Sequence, residues 1–454
     1  MSQALESPLP GSNEIDGRAA WWLQGNFAPV RDEIEAFDLK VEGALPPELN
    51  GVYMRNGANP KNGNSAHWFF GSGMLHGVRL EKGKAAWYRN RYVRTPNFLQ
   101  PRQETDAAAI MDRARSSANT HIVRHAGRFL ALEEAHFPFE VTGDLETVGP
   151  CDFGGKLKTA FTAHPKFCPE TGEMFAFGYG FVPPYLTYYR FDREGRLVQS
   201  TEIPVGGPTM IHDFCVTRRH AIFMDLPIVF DMTLAAQGVM PYRWSDAYPA
   251  RLGVMPRGGS AAELKWLDIK PCYVFHSMNA YDEGNMIVFD VARYGRLWSR
   301  GEGGKDTRPR LYRWTLDLDS GRVGEQALDE QPIEFPRVAD GVAGLKYRYG
   351  YAPMTSGEND GSSTHGGRLL KFDLQTGTRE SYDFEDCTRA GEFVLASANG
   401  NEDAGWLMGY VHEDRGDRSS FVVLDGADVS AGPVARIVLP QRVPYGFHGN
   451  WFAD

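Results

Sequence analysis

Four histidines stand in four unlike settings: Ala163-His164-Pro165-Lys166, Ile211-His212-Asp213-Phe214, Phe275-His276-Ser277-Met278 and Phe447-His448-Gly449-Asn450-Trp451. They lie too far apart along the chain for a local HxxxH motif to join any two, so only a large closed fold could bring them together. Should it do so, four neutral imidazoles with no thiolate or carboxylate among the donors would suit a redox-active divalent iron with positions left open for oxygen. Taken one at a time, each histidine reads as well as a structural or surface residue. Spacing alone does not establish a metal site.

The elements that would have to position them are short strands. Apolar runs alternate with glycine turns: Met174–Phe177 after Thr171-Gly172, Tyr188–Phe191 before Glu194-Gly195, and Met286–Phe289 after Glu283-Gly284. Leu311–Trp314 precedes Ser320-Gly321, Leu369–Phe372 precedes Thr376-Gly377, and Trp406–Tyr410 follows Ala404-Gly405. A β-rich run beside a glycine turn is the mark of a hairpin. Helical periodicity is weak, with candidates only at 104–118 and near 233–238. Hairpins over so long a stretch leave two sandwiches, a β-helix or a propeller. In a propeller the inner strands of different blades can each point one side chain at a shared axial point. No clear blade repeat is visible. Residues 1–20, polar and bearing proline and glycine, read as a flexible N-terminal arm, and 21–454 as one all-β catalytic domain.

The chain has 454 residues and a net charge of −10, with basic residues scattered rather than clustered, which argues against nucleic acid as a partner. Five cysteines (Cys151, Cys168, Cys215, Cys272, Cys387) with no CxxC spacing argue against a disulfide framework or a thiolate zinc site. The first residues show neither a basic start nor an apolar signal region, and no run is long enough to span a bilayer. These features give the expectation of a cytoplasmic protein. Aromatic residues make up 12% of the chain, enough to line an apolar slot as well as a core.

Longer motifs carry a resemblance. His67-Trp68-Phe69 through Gly73-Met74-Leu75-His76-Gly77-Val78-Arg79, together with 43–60 (GALPPELNGVYMRNGANP) and 87–95 (WYRNRYVRT), resembles the carotenoid cleavage oxygenases. Ser72 departs from the family, which usually has aspartate between the two glycines. The segments TAHPK (162–166), IHDF (211–214), Phe275-His276 and His448-Gly449 look like that family's four iron-ligand segments, in order. The resemblance runs from about Gly25 to Trp451. It implies a seven-bladed β-propeller with a helical or loop cap, and Fe(2+) on the axis held by His164, His212, His276 and His448. The implied reaction is cleavage of a conjugated C=C bond by O₂ to two carbonyl products. It also implies glutamates behind three ligands, matched here by Glu134, Glu334 and Glu392, which would accept the histidines' other N–H.

Other residues weigh less. His67 and His76 are not metal residues in the family pattern and read as structural. His121, His125, His136, His220, His365 and His412 belong to no motif. Glu133 and Glu134, if adjacent on a strand, would face opposite ways and make a poor acid–base pair. Segment 226–244 (LPIVFDMTLAAQGVMPYRW) reads as tunnel or cap, or as a point of peripheral membrane contact. The substrate implied is an apolar, conjugated carotenoid or apocarotenoid. A family branch that cleaves stilbenes and phenylpropenoids uses a lysine just before the first glutamate to engage the phenol. Glu133 stands there, which weakens that reading. A non-enzymatic propeller platform and a retinoid-type isomerase are the remaining alternatives.

Overall fold

The computed structural model describes residues 14–15, 18–101, 112–298, 308–355, 365–397, 402 and 404–454. Strands dominate, and the described residues contain only two short α-helices, Pro96–Leu99 and Met232–Ala236. Seven sheets of three to six strands form the blades of a β-propeller.

Within a blade the chain runs as an antiparallel meander. In one it passes through Lys166–Phe167, Met174–Tyr179, Leu186–Phe191 and Leu197–Glu202, each paired with the next. The middle strands are almost wholly buried, whereas Leu197–Glu202 alternates between half-buried and exposed as an outermost strand should. Two further blades run from Phe214–Val216 to Lys265–Asp268 and from Tyr273–Glu283 to Val323–Pro332. The ring is closed twice. Gly449–Ala453 joins the first blade beside Gly51–Ala58, and Val41–Gly43 joins the last blade beside Pro433–Val438.

All six hairpin runs read from the sequence are strands, and the turn glycines Gly172, Gly195, Gly284, Gly321 and Gly377 have positive φ. A repeat that the sequence did not announce emerges at three outer hairpins. Asp317 and Asp373 end their strands and Asp192 directly follows one, and each accepts backbone N–H groups of the turn through Oδ1, before Gly195, Gly321 and Gly377.

The helix expected over 104–118 is not found where it can be tested. Residues 102–111 lie outside the described part, and 112–118 form a turn and extended chain. Local side-chain bonds compete with a helix there: Asp112 Oδ1 accepts from Ala114 N (3.0 Å) and Ser116 Oγ from Ala118 N (3.0 Å). The segment docks on the first blade instead, where Gly73 N donates to Ser117 O (2.8 Å). A Cβ on Gly73 would meet Ala118 O at 2.0 Å, so only glycine permits that approach. The candidate near 233–238 is a short helix, capped by Asp231 Oδ1 on Thr233 N and Leu234 N.

Candidate metal centre

Each of the four histidines sits at the inner edge of a blade. His164 precedes Lys166–Phe167, His212 precedes Phe214–Val216, and His448 precedes Gly449–Ala453. His276 lies inside Tyr273–Glu283, where the register with the neighbouring strand shifts on both sides of Ser277. Such a bulge turns a side chain away from the pleat and here aims it at the axis. The four rings meet. Their ligand atoms lie within 4.8 Å of one another, with His164 Nε2 3.0 Å from His212 Nε2 and His212 Nε2 3.2 Å from His276 Nε2.

The nitrogen chemistry decides what such a cluster can hold. His276 Nδ1 bonds to Glu334 Oε2, His448 Nδ1 bonds to Glu392 Oε1 (2.9 Å), and His212 Nδ1 lies against Glu134 Oε1. A carboxylate on Nδ1 fixes the N–H there and leaves Nε2 as a lone pair. Three such lone pairs converging on one point repel each other unless a cation takes them. Neighbouring donors 3.0–3.2 Å apart match ligands about 2.1 Å from an ion at near-right angles. The residues therefore fit a divalent metal. Burial first, then the neighbouring rings, push His164 and His448 well below the usual imidazole range, so both are neutral donors at neutral pH. Burial opposes charge on His276 too, but the Glu334 carboxylate outweighs it and raises its pKa.

The glutamates are themselves held. Glu334 accepts from Tyr294 Oη (2.9 Å) and Phe335 N (2.7 Å), Glu392 from Gly449 N (2.8 Å), and Glu134 from Tyr179 Oη. Burial, reinforced by these carboxylates, raises both tyrosines well above the usual phenol range and keeps them as donors. Arg337 pairs with Glu392 (3.3 Å) and donates to Asn450 Oδ1 (2.7 Å). Asn450 Nδ2 lies 3.0 Å from His121 Nε2, and His121 Nδ1 lies 2.8 Å from Ala163 O. His121, unassigned from sequence, thus sits beside the cluster, with its ring centroid 5.2 Å from that of His448.

Other histidines lie elsewhere. His76 bonds to Tyr88 Oη, His220 to Asp282, and His365 stacks on Tyr445. His67 packs among Trp22, Phe69 and Trp298. Glu133 and Glu134 do face different partners, the former pairing with His136, but from a bend after the strand rather than within it. Sequence reasoning missed Asp213, Lys166 and Arg337 as parts of the site, although Asp213 and Lys166 lie inside the motifs quoted for His212 and His164 and Arg337 lies three residues after Glu334.

Two kinds of surface reach the histidines. A cavity of about 520 Å³ borders His164, His276 and His448 and is walled by Lys166, Asp213, Arg337 and Asn450 together with apolar Met278, Phe335 and Trp451. His212 instead packs against Phe275 at 5.1 Å between ring centroids, and Phe275 contacts Phe69 and Trp298. These three aromatic residues are only half-buried and none of them lines that cavity.

The family model for retinal pigment epithelial membrane protein matches residues 27–453. The chain is 38% identical to a carotenoid cleavage oxygenase of Mycobacterium tuberculosis, over 99% of both proteins. It belongs to the carotenoid cleavage oxygenase family. Like other members of this family it is a dioxygenase-type enzyme. It is also 35% identical to carotenoid 9,10(9',10')-cleavage dioxygenase 1 of Arabidopsis thaliana, over 95% of this chain and 90% of that protein. Among solved structures, Pseudomonas brassicacearum lignostilbene dioxygenase superposes with a TM-score of 0.88 at 29% identity, covering 95% of this chain and 98% of that one. Cobalt-substituted Synechocystis apocarotenoid oxygenase does so at 0.82 and 26%, covering 94% and 97%.

Proposed function

We propose that His164, His212, His276 and His448 hold ferrous iron, and that the protein cleaves a conjugated C=C bond of a carotenoid or apocarotenoid with O₂. The balance is simple: one alkene and one O₂ give two carbonyls, with no net proton or electron to supply. The observation that carries this reading is the convergence of Nε2 lone pairs whose Nδ1 atoms are tied to Glu134, Glu334 and Glu392. Bound there, ferrous iron would supply the redox chemistry that lets O₂ react with an alkene.

The chain's own residues do the rest. The glutamates hold the ring planes and place negative charge behind neutral donors. Phe69, Phe275 and Trp298 offer half-buried aromatic faces beside His212, suited to stacking a polyene, orienting one double bond and keeping water out. No side chain is needed as acid or base.

The carotenoid reading is supported by the names of the relatives above and by Glu133, whose carboxylate is taken up by His136 where the stilbene branch has a lysine. An aromatic stilbene or phenylpropenoid is the second reading, favoured by the superposition on lignostilbene dioxygenase. Residues 21–454 would act as one catalytic unit behind an arm at 1–20. Segment 226–244 is a hairpin around a short helix, with Met232 65% exposed near the Phe181–Phe230 stack. It is suited to peripheral membrane contact, and no helix among the described residues is long and apolar enough to cross a membrane. The five free cysteines suit a reducing, cytoplasmic setting.

The test is iron content of protein purified without added metal, followed by turnover of apocarotenals, hydroxylated stilbenes and isoeugenol-like alkenes with products identified by mass spectrometry. Bound iron and paired carbonyl products are expected. Metal-free active protein, or isomerised but uncleaved product, would overturn the reading. His276→Ala should lower iron retention on the order of 100-fold while the β-sheet circular dichroism stays unchanged.

A further inference from the structure

Three of the four histidines have a glutamate at Nδ1. His164 has no carboxylate within salt-bridge reach among the described residues, and its charged neighbour is the cation Lys166. Something else must hold it.

Asp213 is the buried group best placed to do so, with its side chain 1% exposed. Its Oδ1 pairs with Lys166 Nζ at 2.7 Å and accepts from Phe214 N at 2.8 Å. Its Oδ2 accepts from Ser277 N (2.8 Å) and Ser277 Oγ (2.6 Å). Lys166 lies two residues after His164, Asp213 follows His212, and Ser277 follows His276. One carboxylate therefore ties together three ligand-bearing segments drawn from three blades. Segment 162–164 is also held by Thr162 N on Phe177 O (2.7 Å), by His164 N on Thr162 Oγ1 (2.9 Å) and by His121 Nδ1 on Ala163 O (2.8 Å), none of which reaches His212 or His276.

We propose that Asp213 is a positioning residue of the metal centre: through Lys166 and Ser277 it sets where His164 stands relative to His212 and His276, taking the place of the missing fourth glutamate. This rests on the metal reading above. Both carboxylate oxygens of Asp213 are acceptors, so an asparagine there must turn its NH₂ toward either the Ser277 or the Lys166–Phe214 donors, and one tie is lost. Lys166→Met cuts only the tie to His164. A ligand freed to swing weakens the metal and changes its geometry before it unfolds anything.

The experiment compares wild type with Lys166→Met, Lys166→Arg, Asp213→Asn and Ser277→Ala. The control is Arg313→Met, which breaks a buried pair with Asp290 (2.7 Å) in the His276 blade away from the cluster. Each protein is loaded with Fe(II) or with Co(II), and three quantities are read: metal loss to a chelator, the visible cobalt bands, and the thermal midpoint. Lys166→Met should lose metal about 10-fold faster and Asp213→Asn up to about 100-fold faster, with displaced cobalt bands. Lys166→Arg should recover most of the wild-type behaviour. Arg313→Met should lower the thermal midpoint and leave the cobalt bands in place. If Asp213→Asn does not fold, Lys166→Met and Ser277→Ala carry the test. Folded variants with wild-type metal loss and cobalt bands would overturn the proposal and leave the metal reading standing. The proposal would equally fall if metal loss only tracked the thermal midpoint, as in the control. A wild-type protein that takes up neither metal would remove the metal reading itself.

Discussion

His212 turns its ring to Phe275, whereas His164, His276 and His448 border a cavity walled by Lys166, Asp213, Arg337 and Asn450. The same four-histidine cluster thus meets a wholly aromatic surface beside His212 and, beside His276 and His448, a wall in which charged, hydrogen-bonded groups stand with Phe335. The aromatic residues around His212 are half-buried and make few polar contacts, so they can present area to an apolar guest. The polar groups are saturated: Asp213 takes up four donors and Glu392 takes His448, Gly449 N and Arg337. A saturated network in a low-dielectric interior is rigid, because any displacement leaves a buried charge unpaired. On the function proposed above, the difference separates two tasks, with precise placement of the histidines on one side and adaptable apolar contact on the other.

That separation can be broken by experiment. The largest effect is expected on the polar side. Arg337→Met leaves Glu392, whose side chain is 1% exposed, without its cation, and should cost about 3 kcal/mol of stability in urea denaturation. It should also loosen the metal, with the KM for the alkene unchanged. On the aromatic side, Phe275→Ala should raise that KM about 10-fold and leave the iron content at the wild-type level. An iron loss in Phe275→Ala, or a pure KM effect in Arg337→Met, would show that the two surfaces are not separable.

The smallest effect per residue is on pH. Burial lowers His67, among the aromatic residues, to about 4, and holds His121, on the polar side, well below its ordinary value. Unfolded, each would titrate near 6.5. Below that pH the unfolded chain binds protons that the folded chain refuses. Stability is therefore complete above about pH 6.5 and falls as the pH drops, by at most about 1.4 kcal/mol per unit for each such histidine. Denaturation midpoints at pH 7.5 and 5.5 measure this. His67→Gln and His121→Gln should each flatten the slope, and an unchanged slope would show that the histidine is charged in the folded state.

Much of this was legible in the chain because it rests on local chemistry. Turn glycines and apolar runs mark the hairpins, whereas the four histidines and the three glutamates were singled out by the resemblance of their short segments to those of the family. Even Glu334, set among other glutamates, is the one that reaches His276. The expected helix toward Ala118 depended on composition alone, and it gave way to serine and aspartate side chains bonding their own backbone and to docking on Gly73.

What the chain could not announce is which distant residues share a carboxylate. His121 carries no motif, and Asp213 looks like part of its own segment until three blades close around it. The sequence determined the donor types, the strands and the turns, since these follow from neighbours along the backbone. Only the packing of successive blades decided that Lys166, Asp213 and Ser277 are one unit, and only ring closure that His121 abuts His448. The first of these joins three consecutive blades, and the second exists only once Gly449–Ala453 has returned to the first blade.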